Sequence, residues 1–311
     1  MDISVVVPVY NEAKNIYELF HSLNGVLEKT NRAYQIIFVD DGSRDDSLKM
    51  LKDLKKKEAN LKVIALRRNY GQTAAIDAGI KSSSGKVIIT IDGDLQNDPQ
   101  DIPNLLRELE KGYDVVSGWR YQRNDSFIRD ALSKLAYLLR EFILADKVHD
   151  SGCTLKAFRR ECFDGLNLYG EMHRFIPAVL AWKGFSIGEV KVSHQARRYG
   201  KSKYSLTRVI KGFLDLLVLR FWMQYSGRPI HLFGVVGVIL LLLGFSSGAY
   251  LTFIKLYFHA QLAGRPLLFL TILLVVTGVQ FIVFGILADI MIQIYYGAND
   301  RRIYNIKETL E

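Results

Sequence analysis

The sequence predicts an α/β domain built on a mostly parallel, doubly wound sheet, followed by amphipathic segments and a hairpin of two membrane-spanning helices. Three observations carry this. Short β-branched runs alternate with helical periodicity through the first part of the chain. Two stretches near the C-terminus, Ile230 to Phe253 and Leu267 to Ala288, contain no Asp, Glu, Lys or Arg. The excess positive charge is concentrated just before the first of them.

Ile3 to Pro8 reads as a buried strand, with an amphipathic helix from Glu12 to Thr30 behind it. Ile36 to Val39 is a second strand, ending in Asp40-Asp41-Gly42-Ser43. A helix with Leu48, Leu51 and Leu54 on one face follows, then the strand Lys62 to Leu66, a helix from about Thr73, and the strand Val87 to Ile91. Each strand ends in a polar cluster, and in open α/β sheets ligands bind beyond the carboxyl ends of the strands. Farther along, Phe127 to Leu144 and Leu206 to Trp222 mix basic residues with Leu and aromatics, the pattern of helices lying in a bilayer interface or packed on the sheet.

At about 1.5 Å per residue each C-terminal apolar stretch crosses a hydrocarbon core of roughly 30 Å. The loop between them carries only Lys255 and Arg265, whereas Lys201, Lys203, Arg208, Lys211, Arg220 and Arg228 precede the hairpin and Arg301 and Arg302 follow it. The positive-inside rule therefore predicts a two-pass protein with both termini cytoplasmic. No signal peptide is expected, because Met1-Asp2 leads straight into a strand without a basic region. Cys153 and Cys162 are expected as free thiols.

The 311 residues are 49% hydrophobic with 6 Pro and 2 Cys, which excludes a disordered, collagen-like or disulfide-framed chain. The net charge of +9 is uneven: residues 1–190 carry 27 basic and 27 acidic residues, and residues 191–228 carry 9 basic residues against Asp215 alone. A neutral α/β part argues against nucleic acid as partner, and a basic collar before the hairpin points to phosphates and anionic membrane lipids.

Asp92-Gly93-Asp94 is the sharpest candidate for chemistry. Two carboxylates on alternate residues after a buried strand suit a hard divalent cation that takes its other ligands from a diphosphate, with Gln96 and Asp98 close by. Asp40, at the end of the second strand, is placed to accept hydrogen bonds from a base or ribose; Gly42 and Ser43 read as a left-handed turn and a cap for the next helix. Tyr10 could pack on a base, and Glu12 could serve either the pocket or the first turn of its helix. Arg129 and Ser133, four apart on a predicted helix, share a face.

Together Val5-Val6-Val7-Pro8-Val9-Tyr10-Asn11-Glu12, Val39-Asp40-Asp41-Gly42-Ser43, Asn69-Tyr70-Gly71-Gln72-Thr73-Ala74-Ala75 and Asp92-Gly93-Asp94-Leu95-Gln96-Asn97-Asp98-Pro99 resemble the nucleotide-sugar glycosyltransferases of family 2, with the GT-A fold. The resemblance runs from residue 1 to about 210. With the C-terminal hairpin, it narrows to the polyprenyl-phosphate glycosyltransferases. It implies that Pro8, Tyr10, Glu12, Asp40 and Asn69 line the nucleotide pocket, and that Asp92, Asp94 and Gln96 hold Mg²⁺ or Mn²⁺ and the donor diphosphate. Arg197 or Arg198, together with Lys203, in Arg197-Arg198-Tyr199-Gly200-Lys201-Ser202-Lys203-Tyr204, would neutralise the leaving group. Arg120, Arg129 and Ser133 would bind the acceptor phosphate. Asp150 stands where the family places a third acidic residue, as general base or as a group that orients substrate; a lipid monophosphate is already anionic and needs little deprotonation.

The expected organisation is a cytoplasmic GT-A domain over residues 1–205, a juxtamembrane amphipathic helix over 206–228, two spans at about 230–254 and 267–292 within a membrane part over 229–294, and a cytoplasmic tail over 295–311. The expected activity is inverting transfer of one sugar, UDP-glucose being the favoured donor, to polyprenyl phosphate. A family 2 transferase with a glycolipid or glycan acceptor, or a non-catalytic nucleotide-sugar-binding scaffold, are the alternatives. Gly234, Gly237, Gly244 and Gly248 offer small-residue surfaces for a homo-oligomer.

Overall fold

The computed structural model describes residues 1–120, 148–168, 170–195, 217, 218, 220, 221, 223, 224, 229–259, 261, 262 and 264–298. Arg129, Ser133, Arg197, Arg198 and Lys203, the segment Phe127 to Leu144, most of the expected helix over 206–228 and residues 299–311 lie outside them. The chain forms two compact units, Met1–Leu217 and Val218–Glu311.

In the first unit the strands are β1 (Ile3–Val9), β2 (Tyr34–Asp40), β3 (Leu61–Ala65), β4 (Val87–Thr90), β5 (Val115–Arg120), β6 (Lys156–Arg159) and β7 (Ile187–Val192). They form one sheet in the order β3-β2-β1-β4-β6-β5-β7. All neighbours are parallel except β6, which runs antiparallel to both β4 and β5. This is the mixed, mostly parallel α/β sheet expected from the alternation of strands and helices.

The near-continuous apolar runs of β1 and β2 are explained by burial on both faces. Side chains alternate along β1, so Val5, Val7 and Val9 join one core and Val6 the other. On the first face lie α1 (Ile16–Glu28), whose Leu19, Phe20, Leu23 and Leu27 are buried, α2 (Ser47–Lys55) and α4 (Ile102–Glu110). On the second lie α3 (Gln72–Lys81) and α5 (Ile176–Trp182). A Cβ on Gly79 would come within 2.3 Å of the Val6 side chain, so α3 lies directly on β1 there.

The start of α1 differs from expectation. Asn11 takes a left-handed φ of 58°, and the N–H groups of Asn11, Glu12 and Ala13 donate to Ser43 Oγ, Ser47 Oγ and Asp45 Oδ2. These bonds hold residues 11–13 against the loop after β2, so the helix begins only at Ile16. Ser43 is thereby used to bind Asn11 rather than to cap α2, whose N-cap is Asp46.

The second unit contains α6 (Ile230–Phe258) and α7 (Pro266–Ala298), both long and apolar enough to cross a bilayer. Their outward side chains are apolar, with Phe245 at 65% and Phe269 at 69% exposure, a surface suited to lipid rather than water. The two helices touch through small residues. A Cβ on Gly237 would sit 2.6 Å from Ile282 Cγ1 and 2.7 Å from the Gly278 carbonyl oxygen, and one on Gly244 would sit 2.7 Å from Val275 Cγ2. Thr271 Oγ1 donates to Ser247 Oγ at 2.9 Å across the same interface. Gly237 and Gly244 thus serve the hairpin itself.

Candidate active site

The carboxyl edge of the sheet collects the functional candidates. The ends of β1, β2, β4 and β5 point there, and because β6 is antiparallel, its first residue Lys156 faces the end of β4, opposite Thr90. Pro8, Tyr10, Asp40, Asp92, Asp94, Arg120, Asp150 and Lys156 therefore share one edge.

On the nucleotide side, Asp40 ends β2 almost fully buried, and its Oδ2 accepts the Ser43 N–H at 3.2 Å. Its Oδ1 is buried without a hydrogen-bond partner among the described residues. A buried carboxylate oxygen left unpaired is costly, and a ligand N–H or O–H would satisfy it. Asp41 acts elsewhere. Its two oxygens accept the N–H groups of Tyr70 and Gly71 at 2.7 and 2.9 Å, pinning the loop before α3. Gly42 allows this approach. It has a left-handed φ of 68°, and a Cβ there would lie 2.5 Å from the Arg68 carbonyl carbon and 2.7 Å from Asn69 N. Asn69 is thus carried beside the turn that follows Asp40, on an exposed loop where Arg68 stacks over the Tyr70 ring at 4.5 Å. Glu12 lies outside α1 and accepts the Asn15 side-chain amide at 2.6 Å.

Asp92 and Asp94 follow β4. A Cβ on Gly93 would sit 3.0 Å from the Pro8 carbonyl oxygen, so glycine lets this turn lie against β1. Leu95 then adopts a left-handed φ of 60°, an uncommon state for a residue with a branched side chain. Asp92 Oδ1 accepts the Gln72 amide at 2.7 Å, and the Thr154 hydroxyl also bonds to this carboxyl. Burial first, and the charge of Asp94 second, push the Asp92 carboxyl up to about 6, against the opposing influence of Thr154, Lys156 and Arg120. Asp94 accepts the Gln96 backbone N–H at 3.2 Å. No group of three or more His, Cys, Asp or Glu side chains is assembled for a metal among the described residues. The donor set still fits Mg²⁺ or Mn²⁺: two hard carboxylates, one destabilised by the other's charge, leave the remaining positions to substrate oxygens and water. Downstream, Asn97 forms a β-bridge with His194, and Gln195 N donates to the Gln96 carbonyl at 2.9 Å. The chain thus enters its basic segment directly beside Gln96.

The third cluster is Arg120, Asp150 and Lys156. Arg120 Nε and Nη2 donate to Asp150 Oδ2 and Oδ1 at 2.6 and 2.9 Å, with both side chains nearly buried. The Arg120 and Gly152 backbone N–H groups also donate to the same carboxylate, at 3.3 and 3.1 Å. Burial alone would lower the guanidinium's pKa; its bonds to Asp150 outweigh this and raise it. Lys156 is 2% exposed, and its ammonium donates to the carbonyls of Ser151 and Cys153. Burial lowers its pKa, opposed by neighbouring Cys153 and by the charge of Asp150. Both cysteines are free thiols, as expected, and burial raises Cys153 to about 11.

Asp41 as a loop anchor, Gln72, Thr154 and Lys156 were not singled out from the sequence. Lys156 carried a signal: it is a lone charge between Leu155 and Ala157-Phe158, in a stretch otherwise fit for a buried strand.

Residues 4–166 match Glycosyl transferase family 2. Dodecaprenyl-phosphate galacturonate synthase of Rhizobium johnstonii is 38% identical over 316 residues, covering 100% of this chain and 94% of that protein. Undecaprenyl-phosphate 4-deoxy-4-formamido-L-arabinose transferase of Klebsiella pneumoniae is 36% identical over 310 residues, covering 99% and 93%. Among solved structures, glucosyl-3-phosphoglycerate synthase from Mycobacterium tuberculosis with Mn²⁺ and UDP-glucose superimposes with a TM-score of 0.54 at 20% identity, covering 73% of this chain and 81% of that one, a likeness of fold. With the carboxylate-bearing sheet edge, the family match over 4–166 and full-length relatives, the chain belongs to glycosyl transferase family 2.

Proposed function

We propose that the protein transfers one sugar from a UDP-linked donor to polyprenyl phosphate, with inversion, at the cytoplasmic face of a membrane. The observation that carries this is the combination, in one chain, of the acidic sheet edge with the two apolar helices, in a sequence similar over its whole length to two enzymes named for polyprenyl-phosphate sugars. Those names are for galacturonate and 4-deoxy-4-formamido-L-arabinose. UDP-glucose, the donor favoured on the sequence, is therefore widened to a panel led by UDP-galacturonate and a UDP-linked 4-formamido-pentose.

Asp40 binds the nucleoside, its buried Oδ1, unpaired among the described residues, accepting from base or ribose. Asp92 and Asp94 hold a divalent metal, which when bound supplies positive charge to the departing diphosphate. Arg120, with Arg129 and Ser133, receives the acceptor phosphate, and Arg198 and Lys203 neutralise the leaving group. An acceptor phosphate oxygen attacks the anomeric carbon, the bond from that carbon to the diphosphate oxygen breaks, and UDP leaves. One displacement inverts the anomeric centre. The basic collar and the positive-inside rule support placing both termini in the cytoplasm.

The test is incubation of the purified protein with Mg²⁺ or Mn²⁺, a short polyprenyl phosphate and the donor panel, with mass detection of lipid-phosphate-sugar. Product with polyprenyl phosphate and none with polyprenol is expected. Transfer to polyprenol, or none to polyprenyl phosphate from any donor in active detergent, would overturn the proposal.

A further inference from the structure

We infer that Asp150 is a positioning residue that locks Arg120 as a receptor for a substrate phosphate, rather than a general base; this rests on the transferase reading above. The geometry is specific. Among the described residues Asp150 accepts four hydrogen bonds, two from the Arg120 guanidinium, one from the Arg120 backbone N–H and one from Gly152 N. A base needs a lone pair directed at the proton it removes. Here both oxygens are engaged by donors. A base would also have no proton to remove: a phosphate monoester is ionised at neutral pH and attacks without deprotonation.

What the pairing accomplishes is seen from the arginine. Asp150 takes Nε–H and one Nη2–H, the inner side of the guanidinium fork. Among the described residues, Nη1 has no protein partner, which leaves donors on a plane whose orientation is fixed. A fork held this way presents two N–H groups at the spacing of phosphate oxygens, which is what bidentate arginine recognition requires. The charges of Arg120 and Asp92 act on each other, placing the guanidinium within electrostatic reach of the expected metal and diphosphate.

The loop that carries Asp150 is built for this. Lys156 holds the carbonyls of Ser151 and Cys153 from below, the Thr154 carbonyl accepts Thr90 Oγ1 at 2.7 Å, and Asn97 Nδ2 donates to Thr154 Oγ1 at 3.0 Å. Gly152 completes it: a Cβ there would sit 3.0 Å from Arg120 Nη2 and 3.5 Å from Asp150 Oδ1. Any side chain at 152 presses on the guanidinium.

On the reading above the phosphate is the acceptor lipid's, and steady-state kinetics on both substrates separates it from the donor diphosphate. For Asp150→Asn we expect a rise of about tenfold or more in KM for one phosphate-bearing substrate, a smaller fall in kcat and an unchanged pH profile of kcat. A rise for polyprenyl phosphate assigns the acceptor and a rise for the nucleotide sugar the donor; either supports the lock. Arg120→Lys should give the same pattern, and the double variant should be little worse than either single one. If Asp150→Asn does not fold, Gly152→Ala leaves both charges in place and should raise the same KM. A fall in kcat of about 100-fold or more with both KM values unchanged and loss of the acidic limb of the pH profile, the mark of a lost base, overturns the inference. So does additivity of the two variants. Failure of the transferase reading is seen separately, in the unsubstituted protein forming no product.

Discussion

Replacing Asp41 with alanine removes one carboxylate that holds two backbone N–H groups, those of Tyr70 and Gly71 at 2.7 and 2.9 Å. Asp41 is 3% exposed, so the interaction is made away from water. A hydrogen bond to a charged group contributes about 1.5–3 kcal/mol. Asn69 and Tyr70 are exposed, so water reaches part of the released loop and the lower end of that range applies to each bond. The expected loss is about 3 kcal/mol, which for a unit of this size lowers Tm by roughly 6–12 °C. The consequence for function follows from packing. The loop lies against Gly42, next to Asp40 and directly ahead of Gln72, which bonds to Asp92. Releasing it frees both the nucleoside side and the metal side, and KM for the nucleotide sugar should rise by about tenfold. Asp41→Asn keeps one acceptor and should show about half the loss of stability. Urea unfolding followed by Trp119 and Trp182 fluorescence measures the first effect and donor titration of initial rates the second. An Asp41→Ala protein within about 1 kcal/mol of the parent, with unchanged donor KM, would show that these two bonds do not hold the loop.

Gln72→Ala should raise the metal concentration for half-maximal rate by about tenfold, since partners that orient a metal-binding carboxylate carry effects of that order; an unchanged metal titration would refute it. Asp92 supplies a pH test. Its carboxyl, raised by burial and by Asp94 from 3.8 to about 6, holds its proton more tightly folded than unfolded. Its stabilising contribution is therefore complete below pH 3.8 and lost as pH rises through about 6 in the metal-free protein. Mg²⁺ or Mn²⁺ binds the ionised form, so the metal-induced gain in Tm should be larger at pH 7 than at pH 5; equal gains would exclude Asp92 as the responsible ligand. In the hairpin, Gly237→Val forces a side chain where Ile282 Cγ1 and the Gly278 oxygen already lie. It should slow disulfide formation in the Ser247→Cys, Thr271→Cys protein, whose parent hydroxyls are 2.9 Å apart, and an unaltered rate would mean the contact is not tight.

What could be read in the sequence follows from where the information is local. β1, β2 and β4 were legible because strands buried on both faces must be apolar throughout, and Asp92-Gly93-Asp94 because paired carboxylates after such a strand are conspicuous. The division of labour between Asp40 and Asp41 was not legible. Neighbours on a strand end point to opposite sides, and only the fold shows that one reaches the pocket and the other the Tyr70 loop. The start of α1 was missed because bonds to Ser43, Asp45 and Ser47 override the helical periodicity from Glu12. The glycines of α6 read as an oligomer surface because sequence alone cannot tell a partner within the chain from one outside it; Gly237 and Gly244 face α7.

The strand that no periodicity could orient is the one that completes the site. Had β6 run parallel to β4, its first residue would lie at the amino edge, and the segment 148–155 would arrive on the wrong side of the sheet. Being antiparallel, β6 pairs Lys156 with Thr90, the last residue of β4, so the loop from His149 to Leu155 lies over the carboxyl edge. β5, returned to the parallel sense on the far side of β6, delivers Arg120 to the same edge. A single reversal thus brings together a guanidinium from the end of one strand, a buried ammonium from the start of another, and a carboxylate from the loop before it. It follows that substitutions weakening the β4–β6 pairing should act on the Arg120–Asp150 lock before they act on Asp40. Thr90→Val tests this, since it removes the hydroxyl that donates to the Thr154 carbonyl at 2.7 Å while keeping shape and strand propensity. The same KM that responds to Gly152→Ala should rise while UDP affinity is retained; loss of UDP affinity instead would place the reversal's main role on the nucleotide side.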